Sequence, residues 1–561
     1  MNILYLVLED FRGLSMSALC PTGSGSGGGG LSGRPCAATP RLDALAAEGV
    51  LFEKAFAQSP ICNPSRTSTM TGRYPTTTAV FGNDDSGTTA EALPNLPQLL
   101  QQSARGRIVT SSPFSKVFHK PAGDVSRPAQ PWDRRWWNRS NMQGLPPAVR
   151  RMLMLNGTKG PERKWRGPGY GHVLPDAFHH MAFRRTVAML GALLQAESPF
   201  FFAAGLSGTH TPLVPPLSFV RKYDAASVVL PASHAAHGPA LARKDGFQTY
   251  PQLTPTQQRE YIATYLGAAS YVDAQVGVLV ETDTVHARVH ACIHAWHACM
   301  RTHVHACACM QVGVLVDMVD RKKAERPTAV IAHSDHGFHL GEHGRWSKYT
   351  LYEEVVHVPL VMRIPGAKRG ARVSKLVELV DVLPTLLSLW GMPEGQWPPL
   401  DGRNLLPLAG LAGLDRATDG KSWTRGADLG VGSAGAGSGG TPGGREFVRS
   451  AMRHPMIIRG SWVCGEQHYV RTRTHAMINY LFQGSVVNTS LFGAALALES
   501  ARPPARPPAR PPALACTRVH PRATGHRRQL SLPHLSPLTH HPFLTSPPTS
   551  PSTSQLLTVP F

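Results

Sequence analysis

An α/β architecture is predicted for residues 1–400 of this 561-residue chain. Two observations predict it. Strand-like apolar runs alternate with helical patterns along that stretch, the mark of a sheet layered with helices. Polar residues with chemical potential follow each run, as they do where the strands of an open α/β sheet end at a binding crevice. The runs are Ile3–Leu8, Arg107–Thr110, Phe200–Gly205 and Thr328–Ala332. After them come Glu9 and Asp10; Lys116 and His119; His210; and Ser334, Asp335 and His336. The length allows a large buried core, and a hydrophobic content of 42% is ordinary for a soluble enzyme.

The opening "MNILYLVLED" has too short an apolar run, and no basic leader, for a secretory signal, so it is read as a strand. "GSGSGGGG" at Gly23–Gly30 is a flexible insertion. Then comes "ICNPSRTSTMTGRYP", Ile61 to Pro75. Pro64 suits the first turn of a helix, where its missing N–H costs nothing. Ser65 to Met70 continue that helix, and Gly72 can end it. Cys62 therefore sits at a helix N-terminus, where free N–H groups and the macrodipole favour an anion. Arg66 adds a fixed cation one turn in. Such a place can bind an oxyanion and hold a nucleophile beside it.

"QVGVLV" occurs at Gln275–Val280 and again at Gln311–Val316. The stretch between the copies is rich in His, Cys and Ala. One reading is a metal site, because His286, His290 and His294 share a helix face with thiols nearby. The favoured reading is an insert that interrupts one helix, "SYVDAQVGVLVDMVD", since the duplicated flank explains the whole segment. Of nine cysteines, only those between Cys292 and Cys309 have spacings that suggest a framework or a metal site. Sequons stand at Asn138, Asn156 and Asn488.

A second Gly-rich stretch, Gly430–Gly444, separates the main domain from a smaller C-terminal piece. The tail opens with "ARPPARPPARPP" and is expected to be disordered. It bears on the charge. The formal excess of +21 looks like a polyanion signal, but Ala501–Phe561 holds seven arginines and no acid, so a third of it lies in one tail. No nucleic-acid partner is expected, while an anionic substrate is. No run of about 18 apolar residues appears, so no membrane span is predicted.

Cys62, Pro64, Ser65 and Arg66 resemble the C-x-P-S-R signature of the type I sulfatases. The resemblance continues in "FSKVFH" at Phe114–His119 and in "SDHGFHLGEHGRWSKYTLYEE" at Ser334–Glu354. "HVPLVMRIPG", "LVDVLPTLLSLWGMP" and "LDGRNLLPL" follow in family order. The Ser334–Glu354 segment is similar to the iduronate 2-sulfatase branch. The resemblance spans roughly residues 2 to 410, apart from the insertions. It implies an alkaline-phosphatase-like fold: a large central mixed sheet flanked by helices, with a small and incomplete C-terminal subdomain. The domains expected are a catalytic one at 1–428, with insertions at about 21–33 and 281–310, and a linker at 429–445. A partial subdomain at 446–495 and a disordered tail at 496–561 complete the chain.

The resemblance also implies the chemistry. Cys62 is oxidised to formylglycine by a formylglycine-generating enzyme, and its hydrate supplies the attacking oxygen. One Ca2+ is expected on Glu9, Asp10, Asp335, His336 and the modified Cys62, because a hard cation prefers carboxylate oxygens. Arg66, Lys116, His119, His210 and Lys348 are carried over as catalytic residues; the two lysines contact sulfate and His119 handles a proton. The family usually has Asp at position 9, where this chain has Glu, and Ser207 and Gly208 replace a His and a Lys before His210. His333, His339 and His343 are expected to pack or to bind substrate rather than to ligate metal. The expected function is removal of sulfate from a sulfated sugar or glycosaminoglycan-like polysaccharide, in a lysosomal or secretory setting. The alternatives are a phosphonate or phosphate monoester hydrolase of the same superfamily, and a catalytically inactive relative from a faulty gene model.

Overall fold

The structure is a computed structural model that describes residues 1–20, 36–83, 85, 93–103, 106–112, 117–119, 134–137, 180–196, 198–211, 213–231, 253–280, 327–411, 447–458, 461–472, 476–482 and 485–492. Lys116, both insertions, the Gly-rich linker and the Pro/Arg tail lie outside the described residues, as do His286, His290 and His294.

The four apolar runs form adjacent strands of one sheet. They are β1 (Asn2–Leu8), β3 (Arg107–Ser112), β5 (Phe200–Leu206) and β6 (Thr328–Ser334). The sheet also contains β2 (Val50–Phe56), β4 (Arg134–Trp137), β10 (Leu360–Arg363) and β11 (Ala371–Glu378). Their order is β11-β2-β10-β6-β1-β5-β3-β4, with the short β9 (His357–Val358) paired to β2. β1 runs parallel to both neighbours, so that Leu6 lies opposite Ala204 on one side and Ala332 on the other. β10 is antiparallel to both β6 and β2, which makes the sheet mixed, as expected.

Every residue of β1, β5 and β6 is buried. Continuous apolar runs of this kind are what a parallel strand covered on both faces requires. The period-two alternation of side chains then divides each strand between two cores. Leu4, Leu6 and Leu8 pack in one core with Phe202, Ala204 and Ala332. Ile3, Tyr5 and Val7 pack in the other with Phe201, Ala203 and Ile331. Helices α1 (Pro40–Glu48), α4 (His180–Gln195) and α5 (Pro255–Val280) contribute to the first core. Helices α3 (Leu96–Gln102) and α6 (Val382–Trp390) cover the second, with Met70 of α2 (Cys62–Thr71). Each fully buried Leu or Phe contributes about 1.5–3 kcal/mol, so this three-layer packing fixes where the strand ends meet.

Helix α2 starts and stops where the sequence says. Its end needs glycine: Gly72 adopts φ 63° and donates to Ser68 O, and a Cβ there would lie 2.9 Å from Leu383 Cδ2. Helix α5 runs to Val280, the end of the first copy of the duplicated hexapeptide. In its C-terminal third, Asp273 accepts hydrogen bonds from the backbone N–H of Arg41 and Leu42 and so caps α1.

β12 (Phe447–Ile458), β13 (Ser461–Thr472), β14 (Ala476–Phe482) and β15 (Ser485–Phe492) form an antiparallel sheet in sequence order. β12 ties it to the main sheet, with Ala451 N donating to Gln58 O at 2.9 Å and Arg449 N to Glu378 Oε1 at 2.6 Å. Cys20 and Cys36 form a disulfide that the spacing argument did not single out. No described helix is long and apolar enough to cross a membrane.

Candidate active site

The carboxyl ends of β1, β2, β5 and β6 open on one place. β1 delivers Glu9 and Asp10, and β6 delivers Asp335 and His336. β5 leads through a turn to His210, whose N–H donates to Ser207 O at 3.0 Å. β2 leads to Ile61 and then to Cys62, the first residue of α2. A hairpin of β7 (His339–Leu340) and β8 (Trp346–Ser347) leads directly into Lys348.

The distances define a cluster. Cys62 Sγ lies 3.3 Å from His336 Nε2 and 4.0 Å from Asp10 Oδ1. His336 Nε2 is 3.4 Å from Asp10 Oδ1 and 3.7 Å from Asp335 Oδ2. Lys348 Nζ donates to Asp10 Oδ1 at 2.8 Å and to Cys62 Sγ at 2.9 Å. Asp10, Cys62, Asp335 and His336 are almost wholly buried, and one ligand atom from each lies within 4.8 Å of all the others. Arg66 donates from Nε to Asp335 Oδ2 at 2.9 Å, with its NH2 group 2.8 Å from the same oxygen and 3.5 Å from Glu9 Oε1.

Of the residues predicted to hold metal, these four come together. Glu9 joins a different group, with Cys62 and His210. The longer side chain carries its carboxylate toward Arg66 and His210. His119 lies two residues beyond Val117, whose carbonyl accepts from Arg66 Nη1 at 3.2 Å.

Carboxylates and cations are interleaved around the cluster. Three carboxylates, Glu9, Asp10 and Asp335, face two permanent cations, Arg66 and Lys348. Burial raises the Asp10 carboxyl above its ordinary range, against the pull of Lys348 and then His210. Burial also opposes ionisation of Asp335, but Arg66, helped by His336, outweighs it and lowers that carboxyl. His336 is raised to about 9: burial disfavours the imidazolium, and Asp335 more than offsets this. For His210, Glu9 and then Asp10 outweigh burial and raise the imidazole. The donor set of imidazole, residue 62 and two carboxylates suits a divalent cation.

Other residues support the cluster, and of these Tyr265 and the Arg12–Glu342 pair escaped the sequence reading. Asp10 sits at φ 58°, a left-handed conformation that Asp tolerates better than most residues. It is held there by its N–H bond to Asp335 Oδ1 at 3.0 Å and by Tyr265 OH donating to its carbonyl at 2.8 Å. Tyr265 lies on α5, more than 250 positions away, and nothing local marks it. Ser65 Oγ donates to Asp335 O at 2.5 Å, and Ser334 Oγ bridges Leu8 O and His336 O. Arg12 and Glu342, paired at 2.7 Å and fully buried, fasten the β1 loop to the hairpin that carries Lys348. His339 hydrogen-bonds Thr350, and His343 stacks on Tyr352, so both pack as expected.

His333 packs too, its Nε2 2.6 Å from Tyr5 OH. Burial pushes its pKa down from 6.5 to about 4. The imidazole is thus neutral in the fold and charges more readily when the chain unfolds. Stability present above pH 6.5 is therefore lost as pH falls toward 4. The loss from this group reaches about 3 kcal/mol. Urea unfolding across that window will show the slope, and His333→Gln will flatten it.

Comparison with known proteins agrees with this geometry. The sulfatase family model matches residues 1–282 and 304–392. The gap it leaves falls inside the insertion expected at 281–310. Iduronate 2-sulfatase from mouse is 25% identical over 482 residues, covering 75% of each chain. Among solved structures, the phosphonate monoester hydrolase of Agrobacterium radiobacter superposes with a TM-score of 0.55 at 18% identity, covering 88% of this chain and 89% of that one. A second, BT4656 in complex with its substrate D-glucosamine-2-N,6-O-disulfate, gives a TM-score of 0.52 at 16% identity, covering 88% and 90%.

Proposed function

The chain belongs to the sulfatase family, and on that premise we propose that it removes sulfate from a sulfated sugar of the glycosaminoglycan type. Residue 62 acts as formylglycine, installed by a formylglycine-generating enzyme, and calcium is the metal. One observation carries the reading. Cys62, at the first position of a helix, lies 3.3 Å from His336 Nε2 and 2.9 Å from Lys348 Nζ, beside two buried carboxylates. The similarity to iduronate 2-sulfatase over three quarters of both chains supports the substrate class.

When bound by Asp10, Asp335, His336 and the converted residue 62, calcium supplies positive charge for a sulfate oxygen and eases ionisation of the attacking hydroxyl. The chain's own residues do the rest. Lys348 places a compact ammonium where the tetrahedral anion must sit. Arg66 grips Asp335 through two nitrogens and so fixes its free lone pairs. His210 Nδ1 is engaged with Thr211 O at 2.6 Å, which leaves Nε2 to pass a proton to the leaving alcohol oxygen. The raised pKa of His210 suits that task. Lys116 and His119 complete the sulfate contacts and proton handling. Maturation in the secretory pathway or lysosome agrees with the Cys20–Cys36 disulfide.

The second reading, a phosphonate or phosphate monoester hydrolase, is favoured by the fold shared with the Agrobacterium enzyme. Chain produced together with the converting enzyme, assayed with calcium on an aryl sulfate and an aryl phosphonate, separates the two. The sulfate is expected to turn over preferentially, and chelation to stop it. Preferential turnover of the phosphonate establishes the second reading instead.

A further inference from the structure

We propose that the folded chain in which residue 62 is still cysteine binds one zinc ion through Cys62 Sγ, His336 Nε2, Asp10 and Asp335. The state of that one side chain then decides which metal the cluster prefers, zinc with the thiol and calcium with formylglycine. The proposal concerns the unconverted chain only. It stands whether or not the converted chain hydrolyses sulfate esters, so its failure leaves that reading untouched.

Donor type and spacing both point to zinc. Calcium takes oxygen ligands, six to eight of them, whereas thiolate and imidazole together select zinc. A tetrahedral zinc with ligands at about 2.0–2.3 Å has edges of roughly 3.4–3.6 Å between ligand atoms. The corresponding separations here are 3.3 Å for Sγ to Nε2, 3.4 Å for Nε2 to Asp10 Oδ1, 3.7 Å for Nε2 to Asp335 Oδ2 and 4.0 Å for Sγ to Asp10 Oδ1. The two remaining separations, Sγ to Asp335 and Asp10 to Asp335, are no more than 4.8 Å, so closing onto an ion takes side-chain adjustments only.

Each ligand is also oriented from behind. His336 Nδ1 lies 3.0 Å from Gly337 O, which directs Nε2 into the cluster. Asp335 is fixed by Arg66, and Asp10 by the N–H bond to Asp335 and by Tyr265. The Lys348 ammonium, 2.9 Å from Sγ and 2.8 Å from Asp10 Oδ1, shows that the donors already favour a cation between them. Zinc entry moves this ammonium aside and releases the Sγ proton to solvent.

The test uses full-length chain made without the converting enzyme, with the thiol at residue 62 verified by peptide mass. It is compared with Cys62→Ala by equilibrium dialysis against zinc and by absorption after cobalt(II) loading. The His- and Cys-rich stretch between residues 286 and 309 is present in both chains, so any binding there cancels in the difference. The parent is expected to hold one more zinc than the variant at low metal, with affinity at that site at least about 100-fold higher. It also shows extra sulfur-to-cobalt charge-transfer absorption. Matching thermal unfolding of the two metal-free chains confirms that the variant folds. Equal zinc uptake by both chains, or cobalt spectra without a difference in the sulfur band, overturns the proposal.

Discussion

Replacing Cys62 by alanine will lower kcat/KM for an aryl sulfate by at least about 10⁴-fold, as loss of a nucleophile does elsewhere. The fold will survive. The side chain is 1% exposed and small, so truncation leaves little cavity and costs about 1 kcal/mol. Helix α2 keeps its start, because its first hydrogen bond runs from Ser65 N to Ile61 O and involves no side chain. Steady-state kinetics alongside urea unfolding will show the two effects apart: activity gone, stability nearly kept.

Asp335→Asn will abolish activity and also destabilise the fold, by about 3 kcal/mol. Arg66 is 2% exposed, and two of its nitrogens lie within 2.9 Å of Asp335 Oδ2. Removing that charge leaves a buried guanidinium whose nearest remaining carboxylate, Glu9, is 3.5 Å away. Adding Arg66→Met to the variant will restore much of the stability, because it removes the uncompensated charge, and none of the activity. Urea unfolding of the single and double variants measures this. A stable but inactive single variant would show that Asp335 serves the chemistry without anchoring Arg66.

The strand ends were legible because β1, β5 and β6 are unbroken apolar runs followed at once by polar residues, and parallel strands covered on both faces leave that trace. The start of α2 was legible from Pro64 and Gly72, whose backbone limits are local. What escaped notice depends on contacts between distant residues. Tyr265 on Asp10, Arg12 on Glu342 and Cys20 on Cys36 leave no periodic or compositional mark. Lys348 was found only through resemblance, since a lysine in a loop looks like any solvated one. Glu9 was assigned to the metal through the family resemblance, and its place beside Arg66, Cys62 and His210 became visible only with the packing.

The most direct check on the chemistry is peptide mass analysis over Ile61–Arg73 on preparations converted to different extents, with turnover measured on each. Activity per chain is expected to rise in proportion to the fraction carrying an aldehyde at residue 62. Undiminished turnover by chain that holds only the thiol would contradict the account.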